Sequence, residues 1–586
     1  MLGQVAPQRD FFSTENAYRD KIKENSFYRF LSDLGAEVFR DQDYSSLYCS
    51  NNGRTSVPPS VLATACVLQS YDRISDAETV ARATYDVRWS VALGTELGEQ
   101  PFAKSTLQEF RAKLILNEQA LAIFQRSLAY ARQKGYLKNK RMKVAMDTTH
   151  ILGKGAVKDT YNLLADGIKK LYRTLEQFRP ATFVEKFKET FSRYFGKSFK
   201  GEANLDWDDE TARRNLLTRL AADAQTLLQL AKETVVAENA DEEKVKKIRE
   251  AAGLLNSLLL QDLEITPAGQ AQIKEGVAPD RIISTTDTET RHGRKSASHR
   301  FDGHKAAVAT DTESQLITAV TMIAANDHDS ESAKSLVEAT KANTGNEVET
   351  AIGDCAFGIT EVREQFENSS TTLIAKAPKA PQSTHFTKHD FTIDLENNHV
   401  TCPAGHTTTT YREISLRFGK KDEKRVTKRF YFPAEVCASC SLRAQCIRSK
   451  SKGGRMIQLH PREDLLQAAR ATAKTDAFKE QYRTRVVVEH SIARLVQRGI
   501  RQSRYLGRKR TLWQVALAAA VVNLMIIATK ERTNKSEHDP NLVFLLLRCL
   551  LLKAIFLQIM AARLTRIHPS GKEWYFVLQF PANGIH

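Results

Sequence analysis

A chain of 586 residues, 42% hydrophobic and 26% charged, has the composition of a soluble globular protein with about three or four domains, which excludes collagen-like, mucin-like and wholly disordered classes. Its formal charge of +17 and pI near 9.3 imply an anionic partner, of which nucleic acid is the commonest. Eight cysteines over this length do not make a disulfide scaffold, and without a basic then apolar leader the expected location is cytoplasmic.

Residues 12 to 136 read as a helical domain. Ser56 with Pro58 and Pro59 opens one helix, and Ser75 with Glu78 and Ser105 with Gln108 make two capping boxes. A helix-turn-helix DNA binder and a plain helical bundle both fit these short elements, and the mixed charge does not separate them. The pattern then changes at Lys143–Thr149, a short apolar run of strand character that ends on Asp147. An aspartate at a strand end also serves as a turn or cap residue. From Tyr161 to about Asp280 the chain is highly charged with recurring leucines (Leu216, Leu220, Leu227, Leu228, Leu230), as in an inserted helical hairpin or bundle.

Strand character resumes at Phe301–Asp311 and Leu316–Ala324, joined as a hairpin, and a helix begins near Asp329. Glu347–Asp354 is a second strand ending in an acid, and Thr371–Ala375 completes the sheet. Next come Cys402, Cys437, Cys440 and Cys446. Four thiolates can close a tetrahedral structural zinc site, with His406 as a replacement ligand; reduced cysteines in a small β domain are the alternative. Cys49, Cys66, Cys355 and Cys549 lack ligand spacing and read as packing residues. Basic residues from Arg417 to Arg429 fall on or between β-like runs at Tyr411–Phe418 and Arg425–Phe432, a hairpin suited to a DNA backbone or to a solvated edge.

One helix is expected over Tyr482–Arg510. At 100° per residue, Tyr482, Arg485 and Glu489 share the arc of Val486, Val488, Ile492, Leu495 and Val496, which turns a carboxylate and a guanidinium toward the core. Such a carboxylate requires a counter-charge or a metal; an ordinary i, i+4 ion pair between Arg485 and Glu489 is the simpler account. Arg494, Arg498, Arg501, Arg504, Arg508, Lys509 and Arg510 continue as a basic stripe suited to DNA. Glu531–Pro540 reads as a linker. The apolar run Leu542–Leu564, interrupted by Arg548 and Lys553, reads as a packed helix in preference to a membrane span.

The order strand, antiparallel hairpin, helix, strand and late acid-bearing helix predicts a mixed α/β (α+β) fold with a ribonuclease-H-like core. Three carboxylates, Asp147, Asp354 and Glu489, converging from separate elements suit two divalent cations, Mg²⁺ or Mn²⁺. The expected layout is a helical N-terminal domain (1–136), a core in three pieces (137–160, 281–377, 478–530), a helical insertion (161–280), a basic Cys-containing β insertion (378–477) and a C-terminal extension (531–586).

With these residues in place the chain resembles a DDE transposase of bacterial insertion sequences. Asp147, Asp354 and Glu489 match its acidic triad, and Tyr482-x-x-Arg485-x-x-x-Glu489 resembles the Y-R-E signature of one large branch. Met146–Thr149, Gly353–Gly358 and Val488–His490 are also similar to the family. The branch's lysine seven residues after the glutamate is Val496 here, with Arg494 and Arg498 nearby at other helix angles. The resemblance implies metal-dependent cleavage at the 3′ ends of an element and strand transfer into target DNA. It further implies Arg485 and Tyr482 at the DNA backbone, double-stranded DNA as partner, a homodimer, and a bacterial, nucleoid-associated protein. A metal-dependent nuclease without joining and an inactive DNA-binding relic are the alternatives.

Overall fold

In the computed structural model, residues 1–5, 12–34, 37–49, 53–138, 141–178, 187–237, 241–296, 298–380, 383–418, 423–448, 453–537 and 553 are described. Short helices fill the N-terminal part: α1 (Thr14–Tyr18), α2 (Phe27–Leu34), α3 (Pro59–Asp72), α4 (Asp76–Tyr85), α5 (Val87–Leu93), α6 (Lys104–Leu116) and α7 (Ala122–Gln133). Pro59 occupies the first turn of α3, where its missing N–H costs nothing. The Ser75 side chain caps α4 by accepting from the Glu78 amide. Ser105 does not cap: α6 already begins at Lys104 after Ala103, so the second box is corrected to a position inside the first turn.

Strand β1 (Arg141–Leu152) extends well past the acid expected at its end, so Asp147 lies within it. Val144, Ala145 and Met146 are fully buried, as befits a strand covered on both faces. After β1 come α8 (Thr160–Glu176), α9 (Glu210–Ala237), α10 (Glu242–Asp262) and a small hairpin, β2 (Leu263–Ile265) with β3 (Ala271–Ile273). These helices bury their own core, with Leu164, Ile168, Leu171, Leu220, Leu227 and Leu255 inside; Leu216, Leu228 and Leu230 are only partly buried against it. At its base, Arg281 binds both carboxylate oxygens of buried Asp262 (2.7 and 2.6 Å), which also accepts from Thr160 (3.0 Å).

The main sheet is completed by β4 (Arg291–Arg294), β5 (Arg300–Asp311), β6 (Ile317–Ala324), β7 (Glu347–Ile352) and β8 (Thr372–Ile374). Strand β5 pairs antiparallel with β4, β6 and β1, while β1–β7 and β7–β8 are parallel. Helix α11 (Ala333–Thr344) connects β6 to β7 and packs on β5, β6 and β7; α12 (Thr360–Glu367) connects β7 to β8. Three strands in antiparallel succession followed by two parallel ones give the mixed α+β, ribonuclease-H-like core.

Beyond β8, two small sheets form: β9 (Thr392–Asp394), β10 (His399–Thr401) and β11 (Thr407–Thr408), then β12 (Tyr411–Phe418), β13 (Glu423–Tyr431) and β14 (Met456–Gln458). Short helices α13 (Ala434–Ala438) and α14 (Arg443–Cys446) separate β13 from β14, and α15 (Glu463–Thr472) follows. The helix expected over Tyr482–Arg510 is three elements: α16 (Asp476–Arg483), α17 (Val486–Gln497) and the start of α18 (Arg508–Glu537). Gly499 in the left-handed region turns the chain after α17.

The chain divides into two units, Met1–Ile526 and Ile527–His586. The expected linker from Glu531 is instead helical as far as Glu537, and the run Leu542–Leu564 lies, apart from Lys553, outside the described residues. Arg508–Asn534 is long and apolar enough to cross a membrane, with a mean hydropathy of 2.0 in its most apolar window, yet 78% of that window is buried inside the protein, as in a core helix. Asn523, fully buried on α18, closes the free edge of β6: its amide oxygen accepts from Ile317 N–H (2.8 Å) and its amide nitrogen donates to Ile317 C=O (2.9 Å).

Replacing Asn523 by Ala leaves that N–H and C=O buried without partners, at a cost of about 1–3 kcal/mol for each group. Asn523→Ala is therefore expected to unfold at a clearly lower temperature than wild type, read by circular dichroism melts, with Asn523→Leu no better than Ala.

Candidate active site

The parallel ladder between β1 and β7 ends with Ala145 opposite Ile352. Asp147 and Asp354 each stand two residues beyond that last pair, at the same end of neighbouring strands. Adjacent strands run roughly 4.8 Å apart, so the two carboxyls are neighbours by register alone. Gly353 permits the turn that follows: a Cβ there would sit 2.6 Å from the Phe357 side chain, which is fully buried beneath it. Arg363 fixes the far side of the turn by donating to Gly358 C=O (3.0 Å) and Ala375 C=O (2.6 Å). The Asp354 carboxylate accepts from the Ala356 amide (2.8 Å).

Helix α16 reaches this end of the sheet through Phe478, which packs with Ile352 and Ile374, the last residues of β7 and β8. Tyr482 stacks on Phe478 at 5.5 Å between ring centroids, with Lys376 over its other surroundings at 4.6 Å and Arg485 at 5.9 Å. The chain breaks at Thr484, and Arg485 becomes the residue that starts α17. Its guanidinium pairs with Glu489 and lies 3.5 Å from the Asp147 carboxylate. The i, i+4 pair is thus present, and it is shared with a second acid.

The premise of a core-facing Glu489 is corrected. Its side chain is 47% exposed, and α17 buries Val488, Ser491 and Leu495 while exposing Val486 and Ala493. The two-residue break, Thr484 and Arg485, rotates the apolar arc, so Arg485 and the exposed Glu489 stand together in the cleft beside Asp147.

Charge in this cleft is unevenly balanced. Burial pushes the Asp147 carboxyl up to about 6; the Thr148 amide pulls down, the Asp354 charge pushes up, Arg485 pulls down and Asp329 pushes up. Burial opposes the charge on Arg485, but Glu489, Tyr482 and Asp147 hold its pKa above the ordinary arginine value. Burial raises the Tyr482 phenol. Asp329 was expected only as the start of a helix, and its place near Asp147 was missed; it opens the turn before α11 and is paired with Lys305 at 2.8 Å. Lys376 and Phe478 were missed as well, and the only sequence signal was the Phe478–Tyr482 spacing of one helical turn.

Three arginines of the expected stripe bond to carbonyls of the protein itself, and a fourth, Arg508, pairs with Glu289 at 3.2 Å. Arg498 donates to Tyr71 C=O (2.9 Å), Arg504 to Ile74 C=O (3.1 Å), and Arg501 to His150 C=O (2.6 Å) and Thr149 Oγ1 (3.1 Å). Arg494 sits in the last turn of α17, where a cation complements the helix dipole. Between the α3 end and residues 498–517 lies a cavity of about 380 Å³ that also meets Arg73 and Tyr505. Among the expected packing cysteines, Cys66 is buried, Cys355 half-buried and Cys49 exposed, while Cys549 lies outside the described residues. The basic hairpin forms as β12 and β13, with Arg412 opposite Arg429 and Arg417 opposite Lys424; Lys420 and Lys421 fall outside the described residues. Cys402, His406, Cys437, Cys440 and Cys446 line one small cavity. Among the described residues, no three His, Cys, Asp or Glu side chains stand as a ready group around one metal position.

A carboxyl whose pKa is higher folded than unfolded binds its proton more tightly in the folded state. The stability it adds is complete below about pH 4 and is lost as pH rises through about 6. In chelator-treated protein, Asp147→Asn removes that loss: the variant should gain on wild type by up to about 3 kcal/mol between pH 4 and pH 7. Melting temperatures of the two proteins across this range check it, and parallel pH curves would refute a raised Asp147.

Residues 16–113 match a family described as transposase domain (DUF772), and residues 401–528 match one described as transposase DDE domain. The first match covers most of α1–α6, and the second covers Glu489 but neither Asp147 nor Asp354. No curated protein and no solved structure matches the chain. The two family matches, one on the N-terminal helices and one on the segment carrying Tyr482, Arg485 and Glu489, support a DDE transposase and hence an enzyme of the nuclease and transposase class that acts on DNA.

Proposed function

We propose that the protein is a DNA transposase that cleaves the 3′ ends of an insertion sequence and transfers them to target DNA, with Asp147, Asp354 and Glu489 as its catalytic acids. The observation that carries this reading is the last rung of the β1–β7 ladder, Ala145 opposite Ile352, beyond which Asp147 and Asp354 are neighbours while Arg485 links Asp147 to Glu489.

The residues present fit divalent cations in part. Asp147 and Asp354 are neighbouring carboxyls of the hard-oxygen type that Mg²⁺ or Mn²⁺ takes, and Asp147 is pushed up first by burial and in smaller part by the Asp354 charge. Glu489 is occupied by Arg485 and would complete the ligand set of two ions by leaving it. When bound, such ions supply positive charge against the phosphoryl oxygens of the scissile bond.

The chain's own groups do the rest. The Asp147 carboxyl, pushed up to about 6 chiefly by burial, would hold its negative charge more readily beside a bound cation. Arg485 holds Asp147 and Glu489 in one cleft; its five N–H donors form a fork suited equally to a phosphate of the DNA strand. Tyr482 and Lys376 flank the same opening, where a phenol and an ammonium can meet the backbone. Arg494 and the β12–β13 hairpin, where Arg412 stands opposite Arg429 and Arg417 opposite Lys424, extend the DNA surface. Pairing two element ends would require a homodimer, and the protein would work at the bacterial nucleoid.

The test is purified protein with Mg²⁺ and duplex DNA bearing the element's own ends. Wild type should cut and join; Asp147→Ala, Asp354→Ala and Glu489→Gln should each lower both by at least about 10²-fold while still binding DNA. Cutting without joining would favour a nuclease, and cutting that survives these substitutions would remove the triad. Arg494→Ala should weaken duplex binding with an unchanged melting temperature, whereas Arg498→Ala and Arg504→Ala should lower that temperature, because they detach the N-terminal helices from the core.

A further inference from the structure

The segment from 378 to 477 has little core of its own. Its buried apolar cluster consists of Phe391, Val400, Phe430, Phe432, Ile457 and Leu459, with Cys402, Cys437 and Cys446 packed against it. So small a core ordinarily needs a staple such as a disulfide or a metal. All four local cysteines are free thiols.

Those cysteines come from two separate places in the chain and meet at one cavity. Cys402 lies at the end of β10, in a tight turn where its N–H donates to His406 C=O (2.8 Å) and its C=O accepts from Gly405 N–H (2.9 Å). Gly405 has φ +85°, which a side chain would resist. Cys437 and Cys440 flank the end of α13, and Cys446 closes α14. The cavity they line has a volume of about 20 Å³, room for one water-sized body. Its other walls are chiefly apolar, including Phe432, Val436 and Ile447, so a water there would find few polar partners.

Two further contacts suit sulfur in its anionic form. The Arg455 amide donates to Cys437 Sγ at 3.4 Å, and the Arg455 guanidinium donates to Cys446 C=O (3.0 Å) and Phe386 C=O (2.7 Å). That places a fixed cation beside the cluster, as an outer partner that would offset the excess negative charge of four thiolates on a divalent ion. The sulfurs do not stand as a ready metal group. Each is carried on a single rotatable Cα–Cβ bond with three staggered positions and lines the same small cavity, so side-chain rotation is the route by which the four would close on an ion.

We infer that Cys402, Cys437, Cys440 and Cys446 form a structural tetrathiolate site for one Zn²⁺ that ties the β9–β11 sheet to the β12–β14 sheet. Binding the ion displaces the thiol protons to solvent and adds its free energy to the folding of this segment. The site joins the turn after β10 to the helices after β13, and so fixes the base of the basic hairpin. It is independent of the proposed chemistry, since none of its residues borders the cleft at Asp147.

The test is the metal content of the full-length protein, purified without added metal and measured by plasma mass spectrometry. About one zinc per chain is expected, falling at least about fivefold in Cys437→Ser with Cys440→Ser, and unchanged in Cys66→Ser and His406→Ala. If the double variant is insoluble, wild type carries the test: a mercurial reagent should release about one zinc as four thiols react, and Co²⁺ exchanged into the site should give the intense visible absorption of tetrahedral thiolate coordination. Less than about 0.1 equivalent of zinc, with thiols that react at once and no cobalt spectrum, would overturn the site. So would full zinc retention in the double variant. None of these readings depends on DNA cleavage, so their failure leaves the proposed function standing.

Discussion

The pairing of β1 with β7 stops at a single rung, Ala145 opposite Ile352, and the candidate site follows from that stop. Inside a covered parallel ladder a carboxylate would be enclosed by apolar neighbours, at a desolvation cost of several kcal/mol. Two residues past the last rung, Asp147 and Asp354 keep partial contact with water while staying adjacent. The apolar seat of Phe478 on Ile352 and Ile374 then brings Arg485 to the same place. One guanidinium between two acids is the local compensation, and Asp147 is still left short of positive charge.

Apart from β4, whose Arg291–Arg294 carries no apolar pattern, the sheet was legible because its strands hold apolar runs with clear turn signals, and the two run-ending acids could be read without a fold in hand. The end of β1 could not: its pairing with β5 continues to Leu152 opposite Gly303, and that partner lies about 150 residues further along the chain. The break between α16 and α17 was hidden for a different reason. Val486, Val487 and Val488 continue the apolar pattern of a helix, so periodicity alone joins what the backbone separates. With the break in place, the face on which Glu489 lies changes from inside to outside, although its pairing with Arg485 survives.

The arginines after α17 carry a similar lesson about charge. As a sequence they are a cationic stripe; in the fold Arg498, Arg501 and Arg504 satisfy backbone carbonyls at the end of α3, before α4 and on β1. Burial makes a guanidinium useful as a cross-link, since it has several donors and does not lose its charge at physiological pH. Arg111 does the same from the other side, reaching Asp76, Gln69 and, at 3.5 Å, Tyr505. Net charge therefore overstates the surface available to an anionic partner, since these guanidinium groups already hold acceptors of the protein itself.

The hydrogen bonds between Asn523 and Ile317 span 206 residues of chain. At roughly 5–20 residues per second of synthesis, the edge of β6 waits about 10–40 seconds on the ribosome before the helix that covers it exists. Throughout that interval the nascent sheet presents an unpaired strand of high β-propensity, Ile317–Ala324, to other chains. The time during which this protein is most prone to aggregate is thus set by the order of elements along the chain, since the Cys-containing insertion (378–477) lies between β6 and the helix that covers it and lengthens the wait.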